Sequence, residues 1–258
     1  MIITLLTDFG TQDYFVGAMK GVIFTINPEA KIADITHEIP PQDVCAAAFT
    51  LVNYYKTFPP GTTHVCVVDP GVGSERRAIL VETQNYYFVA PDNGLLSFVF
   101  DEEQDFRVFE LTNQEFFRHP VSQTFHGRDV FAPVAAHLST GISVEEFGRE
   151  INDFVRFEIA KPQKNSAGEI EGEIIHIDRF GNLITNLKGE DLPEKFVIKI
   201  TEKTITKHLK YYAEAETGEI FSILGSAGFL EIVAFRDSAK AFLNVKLGDK
   251  VFLTGSEN

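Results

Sequence analysis

Cysteine is scarce in this chain. Only Cys45 and Cys66 occur in 258 residues, they form no CxxC pair, and both lie among apolar neighbours. Each therefore reads as a buried free thiol in a reducing compartment. Basic residues are outnumbered as well: 23 Lys and Arg stand against 37 Asp and Glu, a formal net charge of −14. That balance argues against a phosphate-neutralising nucleic-acid face and against a polybasic membrane anchor. An acidic surface suits a cationic substrate, or simply keeps a protein soluble. The start, Met1-Ile2-Ile3-Thr4-Leu5-Leu6-Thr7-Asp8, has no basic n-region and is interrupted by Asp8, so it reads as a strand rather than a signal peptide. No apolar stretch approaches a membrane span. Together these features point to a cytoplasmic protein.

Several motifs are missing too. The seven histidines are scattered, with no HExxH and no Cys/His cluster, so no metal site is expected. There is neither a GxGxxG nor a Walker A run, which argues against phosphate cradling. The absence of GxSxG weakens a serine-hydrolase reading. No internal repeat or low-complexity segment is visible.

The residues present describe a layered architecture. At this length and a hydrophobic content of 44%, the chain can bury a sizeable core in one large domain or two smaller ones. Residues 2–7 read as a buried strand. A helical stripe follows at Val16, Met19, Ile23 and Ile26, and residues 31–36 give a second strand. Asp43 is placed to cap a helix through Cys45, Phe49, Val52 and Tyr55, which Pro59-Pro60-Gly61 ends. A strand running to Asp69 comes next. This order predicts an α/β N-terminal domain with a mainly parallel sheet. Strand-like runs at 78–82, 86–90 and 107–111 and a helix over 128–138 complete it. The polar, turn-rich stretch at 160–168 reads as a linker. Short β segments at 170–177, 183–186, 196–200, 220–224, 230–233 and 251–253 then predict a small all-β barrel or sandwich. The expected division is residues 1–158, a linker at 159–168, and 169–258.

The candidate chemistry sits at turns. In Val67-Val68-Asp69-Pro70-Gly71-Val72-Gly73-Ser74-Glu75-Arg76-Arg77, Asp69 ends a buried strand, Pro70 stops the sheet, and the glycines allow a tight path that returns Arg76 to the carboxylate. Open α/β sheets present chemistry at such an edge; the bland alternative is a salt-bridged turn. Asp8 and Asp13 flank the first strand-to-helix turn, where a carboxylate can accept from ribose hydroxyls or merely form a turn and a cap. In Thr124-Phe125-His126-Gly127-Arg128-Asp129, His126 is a possible acid or base and Asp129 a first-turn cap. Phe180 and Asn182, in Asp178-Arg179-Phe180-Gly181-Asn182, can stack on a base and read its edge, unless this is an ordinary hairpin turn. Gly225-Ser226-Ala227-Gly228-Phe229-Leu230-Glu231 has small residues that permit close backbone approach.

In combination these segments carry a resemblance. Leu6-Thr7-Asp8-Phe9-Gly10, Asp69-Pro70-Gly71-Val72-Gly73, Ala90-Pro91-Asp92-Asn93-Gly94, Phe125-His126-Gly127-Arg128-Asp129, Asp178-Arg179-Phe180-Gly181-Asn182 and Ser226-Ala227-Gly228-Phe229-Leu230-Glu231-Ile232 occur in this order. The chain resembles the S-adenosyl-L-methionine (SAM) hydroxide adenosyltransferases, or SAM hydrolases, relatives of the SAM-dependent fluorinating and chlorinating enzymes. The resemblance implies a homotrimer with sites shared between subunits, SAM as substrate and no cofactor. It also implies that water attacks the ribose 5′ carbon to give adenosine and methionine. It assigns Asp69, Arg76 and His126 to orienting and activating water, with Asp8 on the ribose hydroxyls. Phe125 joins the substrate-binding set. Phe180 and an aromatic near Tyr212 stack on adenine, whose edge meets Asn182 and backbone near Phe235 and Arg236. Asp178 and Ser226, with help from Asp13, hold the methionine amino acid group.

Departures from the halogenating branch favour water. Asp69 stands where that branch has tyrosine, and a carboxylate there repels halide. Gly127 stands where the fluorinating enzymes have serine. Ala227 replaces an arginine, which leaves the methionine carboxylate without an assigned partner. Arg76 makes Asp69 a poorer base, so the proton acceptor stays open between Asp69 and His126. Other readings are a non-catalytic SAM or adenosine sensor, a halogenase-type transfer, and a metal-dependent phosphatase using Asp8.

Overall fold

A computed structural model of the chain describes residues 1–166 and 168–255. Ala167, within the segment read as a linker, and the last three residues of the C-terminal domain lie outside the described residues. The chain divides into two compact units, Met1–Glu158 and Ile159–Asn258.

In the first unit, β1 (Ile2–Thr7), β2 (Lys31–Thr36), β3 (Thr62–Val67), β4 (Ala78–Thr83), β5 (Tyr86–Pro91), β6 (Phe106–Leu111) and β7 (Gly148–Ile151) form one sheet. Its order is β2-β1-β3-β5-β4-β6-β7. The β2-β1-β3-β5 half is parallel. The other half is antiparallel, so the sheet is mixed rather than mainly parallel. The cause is local: only Gln84 and Asn85 separate β4 from β5, and a connection that short can join only antiparallel strands.

Side chains of the parallel strands alternate between two cores, as a doubly covered sheet requires. Ile3, Leu5, Val65 and Val67 face α1 (Phe15–Ile26) and α4 (Ala132–Ser139). Leu6, Cys66 and Val68 face α2 (Val44–Tyr54) and α3 (Ser97–Glu102). Asp43 caps α2, accepting the Ala46 N–H at 2.9 Å. Cys66 is buried as expected, and burial pushes its thiol up to about 12. Cys45 is exposed, contrary to the reading of both thiols as buried. The run Cys45-Ala46-Ala47-Ala48 has too little polarity contrast to mark which face of α2 turns inward, and Ala47 and Leu51 take that position. The helix read over 128–138 is split into a π-helical turn at Gly127–Phe131 and α4. Pro133, in the first turn of α4, has no N–H to continue the ladder.

His64 in β3 is fully buried, held through Nδ1 to Thr4 Oγ1 at 2.8 Å. Tyr54, Tyr55, Phe58, Tyr86 and Phe88 surround its ring. Burial pushes its pKa down to about 3. An unfolded histidine binds a proton near pH 6.5, so this contribution to stability is complete above that pH and is lost as pH falls. Between pH 6.5 and about 3 each pH unit is expected to cost about 1.4 kcal/mol. The check is thermal unfolding across pH: His64→Leu should flatten the acid limb, and an unchanged slope would contradict the assignment.

The second unit is antiparallel throughout its strand ladders. Its strands are β8 (Gln163–Lys164), β9 (Ile170–Ile177), β10 (Leu183–Lys188), β11 (Phe196–Ile200), β12 (Lys203–Ile205), β13 (Ile220–Leu224), β14 (Phe229–Ala234) and β15 (Lys250–Gly255). They run in the order β12-β11-β15-β9-β10-β14-β13, with β8 added on β9. An isolated bridge between His208 and Ser222 links the segment after β12 to β13, so the sheet closes nearly into a barrel around Ile174, Ile198, Ile232 and Val251. A short helix, α5 (Ala239–Leu243), follows β14. Within the segment read as a linker, Gln163 and Lys164 pair with Glu171 and Ile170.

Candidate active site

Asp69 lies just beyond β3. A tight path carries the chain back: the Val72 N–H donates to the Asp69 carbonyl at 3.2 Å and the Ser74 N–H to the Gly71 carbonyl at 3.1 Å. Gly73 is required there. Its φ is +76°, and a Cβ would lie 2.2 Å from the Gln123 carbonyl oxygen. From below, Asn93 donates its side-chain amide to the Val68 carbonyl at 2.9 Å, so the Ala90-Pro91-Asp92-Asn93-Gly94 motif supports the strand end that bears Asp69.

The turn delivers Arg76 onto Asp69 with bidentate geometry. Arg76 Nε donates to Oδ1 at 2.9 Å and Nη2 to Oδ2. Nη2 also donates to His126 Nδ1 at 2.9 Å, and the guanidinium lies 5.2 Å from the Phe131 ring centroid. The side chains of Arg76 and Asp69 are only 10% and 5% exposed. Sequence separation is 50 residues between Arg76 and His126, so the predicted trio is assembled by the fold. Arginine has no acceptor and stays protonated. His126 Nδ1 must therefore accept, which places the ring's single proton on Nε2. Burial and the Arg76 charge both lower the His126 pKa and hold the imidazole neutral. Among the described residues no group of three or more His, Cys, Asp or Glu is placed to hold a metal ion.

Beside this trio, Arg76 and His126 also line a cavity of about 540 Å³ with Glu75, Glu110, Gln114 and His119, none of which the motifs had singled out. Asp129 is fully buried and spans a wider network than a first-turn cap. It takes Arg128, Arg118 and the Ser122 N–H, and although burial pushes its pKa up, these donors bring it below the usual range.

The other first-unit candidates lie outside this hydrogen-bonded trio, although Asp8 shares its sheet edge, since Thr7 pairs with Val67. Asp8, at the end of β1, accepts the Gln42 N–H at 2.8 Å, for which Gln42 adopts φ 66°. Asp13 is exposed and does not cap α1; Tyr14 occupies that position without a side-chain bond. Phe125 is buried against Phe9 and Phe15 under the Arg128 guanidinium. Gly127 packs where a Cβ would meet Met19, Phe9 and Phe125 at 3.2 to 3.3 Å.

In the second unit, a cavity of about 860 Å³ gathers Asp178, Phe180, Asn182, Tyr212, Ser226, Phe235 and Arg236. Sequence motifs far apart in the chain thus converge on one ligand-sized space. Asp178 builds the turn itself. Its Oδ1 accepts the N–H groups of Phe180 and Asn182 at 2.8 and 2.9 Å, and its Oδ2 accepts the Asn182 amide at 2.8 Å. Gly181 has φ +83°, and a Cβ there would lie 2.1 Å from Ser238 Oγ. The turn presents the Phe180 ring 75% exposed. Motif reading passed over Glu231, which lines the same cavity. Its signal is a lone charge within the apolar run of β14.

A strand-end Asp–Arg–His set on a mixed sheet, and a ligand-sized pocket on an antiparallel barrel, define a two-domain enzyme of small-molecule chemistry. The profile of the SAM hydroxide adenosyltransferase N-terminal domain matches residues 3–148, and that of its C-terminal domain matches residues 172–252. The (R)-S-adenosyl-L-methionine hydrolase of Methanocaldococcus jannaschii is 41% identical, across 97% of this chain and 94% of that protein. The enzyme of the same name from Thermus thermophilus is 35% identical, across 96% and 97%. A crystal structure of an uncharacterized conserved protein from Thermotoga maritima superposes with a TM-score of 0.89 at 38% identity, covering 98% and 99% of the two chains. Fluorinases match more distantly. The chain belongs to the SAM hydroxide adenosyltransferase family.

Proposed function

We propose that this enzyme hydrolyses SAM to adenosine and L-methionine. The Asp69–Arg76–His126 set carries the reading. Water bonds to the ribose 5′ carbon as the carbon–sulfur bond breaks, the bond's electron pair goes to sulfur, and the nucleophile loses one proton. Sulfonium leaves without protonation, so alignment of water is the larger gain, and a dry, preorganised site favours the dispersal of charge. Arg76 occupies His126 Nδ1, so His126 directs an Nε2–H donor at the water and holds it. Each Asp69 oxygen keeps a lone pair after accepting Arg76, and one of them takes the water's proton. A carboxylate at this point also disfavours halide.

On this reading Asp8 holds the ribose hydroxyls, Phe180 and Tyr212 stack on adenine, and Asn182 with backbone near Phe235 and Arg236 meets its edge. Asp178, Ser226 and Asp13 lie toward the methionine group, and Phe125 backs the substrate from the core. The enzyme works as a homotrimer whose neighbouring subunits act on one SAM, in the cytoplasm, without cofactor, metal, nucleic acid or membrane. Scarce cysteine and a net charge of −14 support that setting. No helix among the described residues is long and apolar enough to cross a membrane.

Incubating purified protein with SAM after exhaustive chelation should give adenosine and methionine in equal amounts. Binding without turnover would make the protein a sensor. Activity lost on chelation and restored by a divalent ion would move the chemistry to a metal.

A further inference from the structure

The segment that follows β2 grips the turn that carries Asp8. The register of β1 on β2 shifts near its end, from Leu5 beside Asp34 to Leu6 beside Thr36. Ile35 is thereby skipped, and irregularities of this kind re-aim side chains. The shift brings His37 level with Thr7. His37 is buried, and its Nδ1 lies 2.9 Å from Thr7 Oγ1. The same hydroxyl oxygen accepts the Phe9 N–H at 3.2 Å. The His37 carbonyl accepts the Gly10 N–H at 2.7 Å, so His37 holds the chain on both sides of Asp8. On the far side of the ring, Nε2 lies 3.1 Å from Asp34 Oδ1, at ion-pair distance but without the alignment of a hydrogen bond. Lys20 takes the other Asp34 oxygen. Asp8 itself receives the Gln42 N–H on Oδ2, and among the described residues its Oδ1 makes no hydrogen bond.

We propose that His37 is a positioning residue for ribose recognition: through Thr7 and Gly10 it fixes the turn that aims the Asp8 carboxylate at the vicinal hydroxyls. This rests on the reading in which Asp8 holds the ribose. Hydrogen bonds to a carboxylate are strong, but two at once require its plane to be held, and a group already held loses less freedom on binding. The Gln42 contact fixes one oxygen. The backbone that bears the carboxylate is fixed by His37. Removing the Thr7 hydroxyl leaves a buried ring nitrogen and the Phe9 N–H without a partner, and the turn is then free to move.

Calorimetric binding of adenosine and 2′,3′-dideoxyadenosine reads this directly, because only the first carries the vicinal hydroxyls. The wild type is expected to prefer adenosine. His37→Ala and the nearly isosteric Thr7→Val should each lower adenosine affinity by roughly tenfold and leave dideoxyadenosine unchanged, with Thr7→Ser restoring the preference. Unchanged dideoxyadenosine binding also reports an intact pocket. In an Asp8→Ala background, His37→Ala should cost nothing further, since it acts through Asp8. Equal losses for both ligands, or a full additional loss in the double variant, would make His37 merely structural and overturn the proposal. No loss in either single variant would overturn it too. If the wild type bound both nucleosides equally, the ribose role of Asp8 would itself be overturned, and the proposal with it.

Discussion

Asp69→Ala and His126→Ala are each expected to lower turnover by about 100- to 10,000-fold while SAM affinity changes only a few-fold. The separation follows from what the two side chains touch. On the proposed reading they hold the nucleophile, and the advantage of that placement is realised in the transition state rather than in the bound substrate. Single-turnover rates with calorimetric SAM affinities check it. The pH profile of the wild type adds a sign. His126 works as the neutral ring that accepts from Arg76, and burial and Arg76 lower its pKa. The acid limb of kcat/KM should therefore fall below the ordinary histidine value of about 6.5. Near-normal turnover in both variants would remove the set from the mechanism.

Arg76→Lys is expected to be almost as damaging, despite keeping the charge. An ammonium cannot reproduce the fork by which Nε and Nη2 meet the two Asp69 oxygens while Nη2 also reaches His126, so arginine and lysine are not interchangeable here. A loss in turnover of about 100-fold or more is expected, in line with removal of a positioned catalytic group. The variant also frees His126 Nδ1. Nuclear magnetic resonance titration should show the His126 pKa rising toward its ordinary value relative to the wild type, because the neighbouring cation no longer sits against the ring. A merely structural role for Arg76 would leave that titration in place while lowering stability.

Much of this site was legible in the sequence because its parts obey local rules. A buried run ending in Asp-Pro-Gly announces a strand end, and two glycines announce a return path, so Asp69 and Arg76 could be paired before any coordinates. Their junction with His126 was not a local matter. It depends on the π-helical turn at Gly127–Phe131 and on α4 packing against the sheet, and only the motif order hinted at it. The parallel half of the sheet was readable from the alternation of strands and helices up to Asp69. The antiparallel half was not, because periodicity states that a segment is a strand but not its direction; the two-residue β4–β5 connection is the overlooked cue. Alanines leave the inward face of α2 unmarked, which is why Cys45 was misplaced. Asp178 has a second task that its identity did not reveal: besides lining the cavity, its oxygens accept from the Phe180–Asn182 turn. Glu231 was passed over because the small residues around it drew the reading toward backbone approach.

The central claim, attack of water at the ribose 5′ carbon, is tested most directly by turnover in ¹⁸O-labelled water. The account predicts a single ¹⁸O in the 5′-hydroxyl of the adenosine formed, and none in the methionine. Adenosine without the label, label in the methionine, or cleavage to methylthioadenosine instead would contradict it.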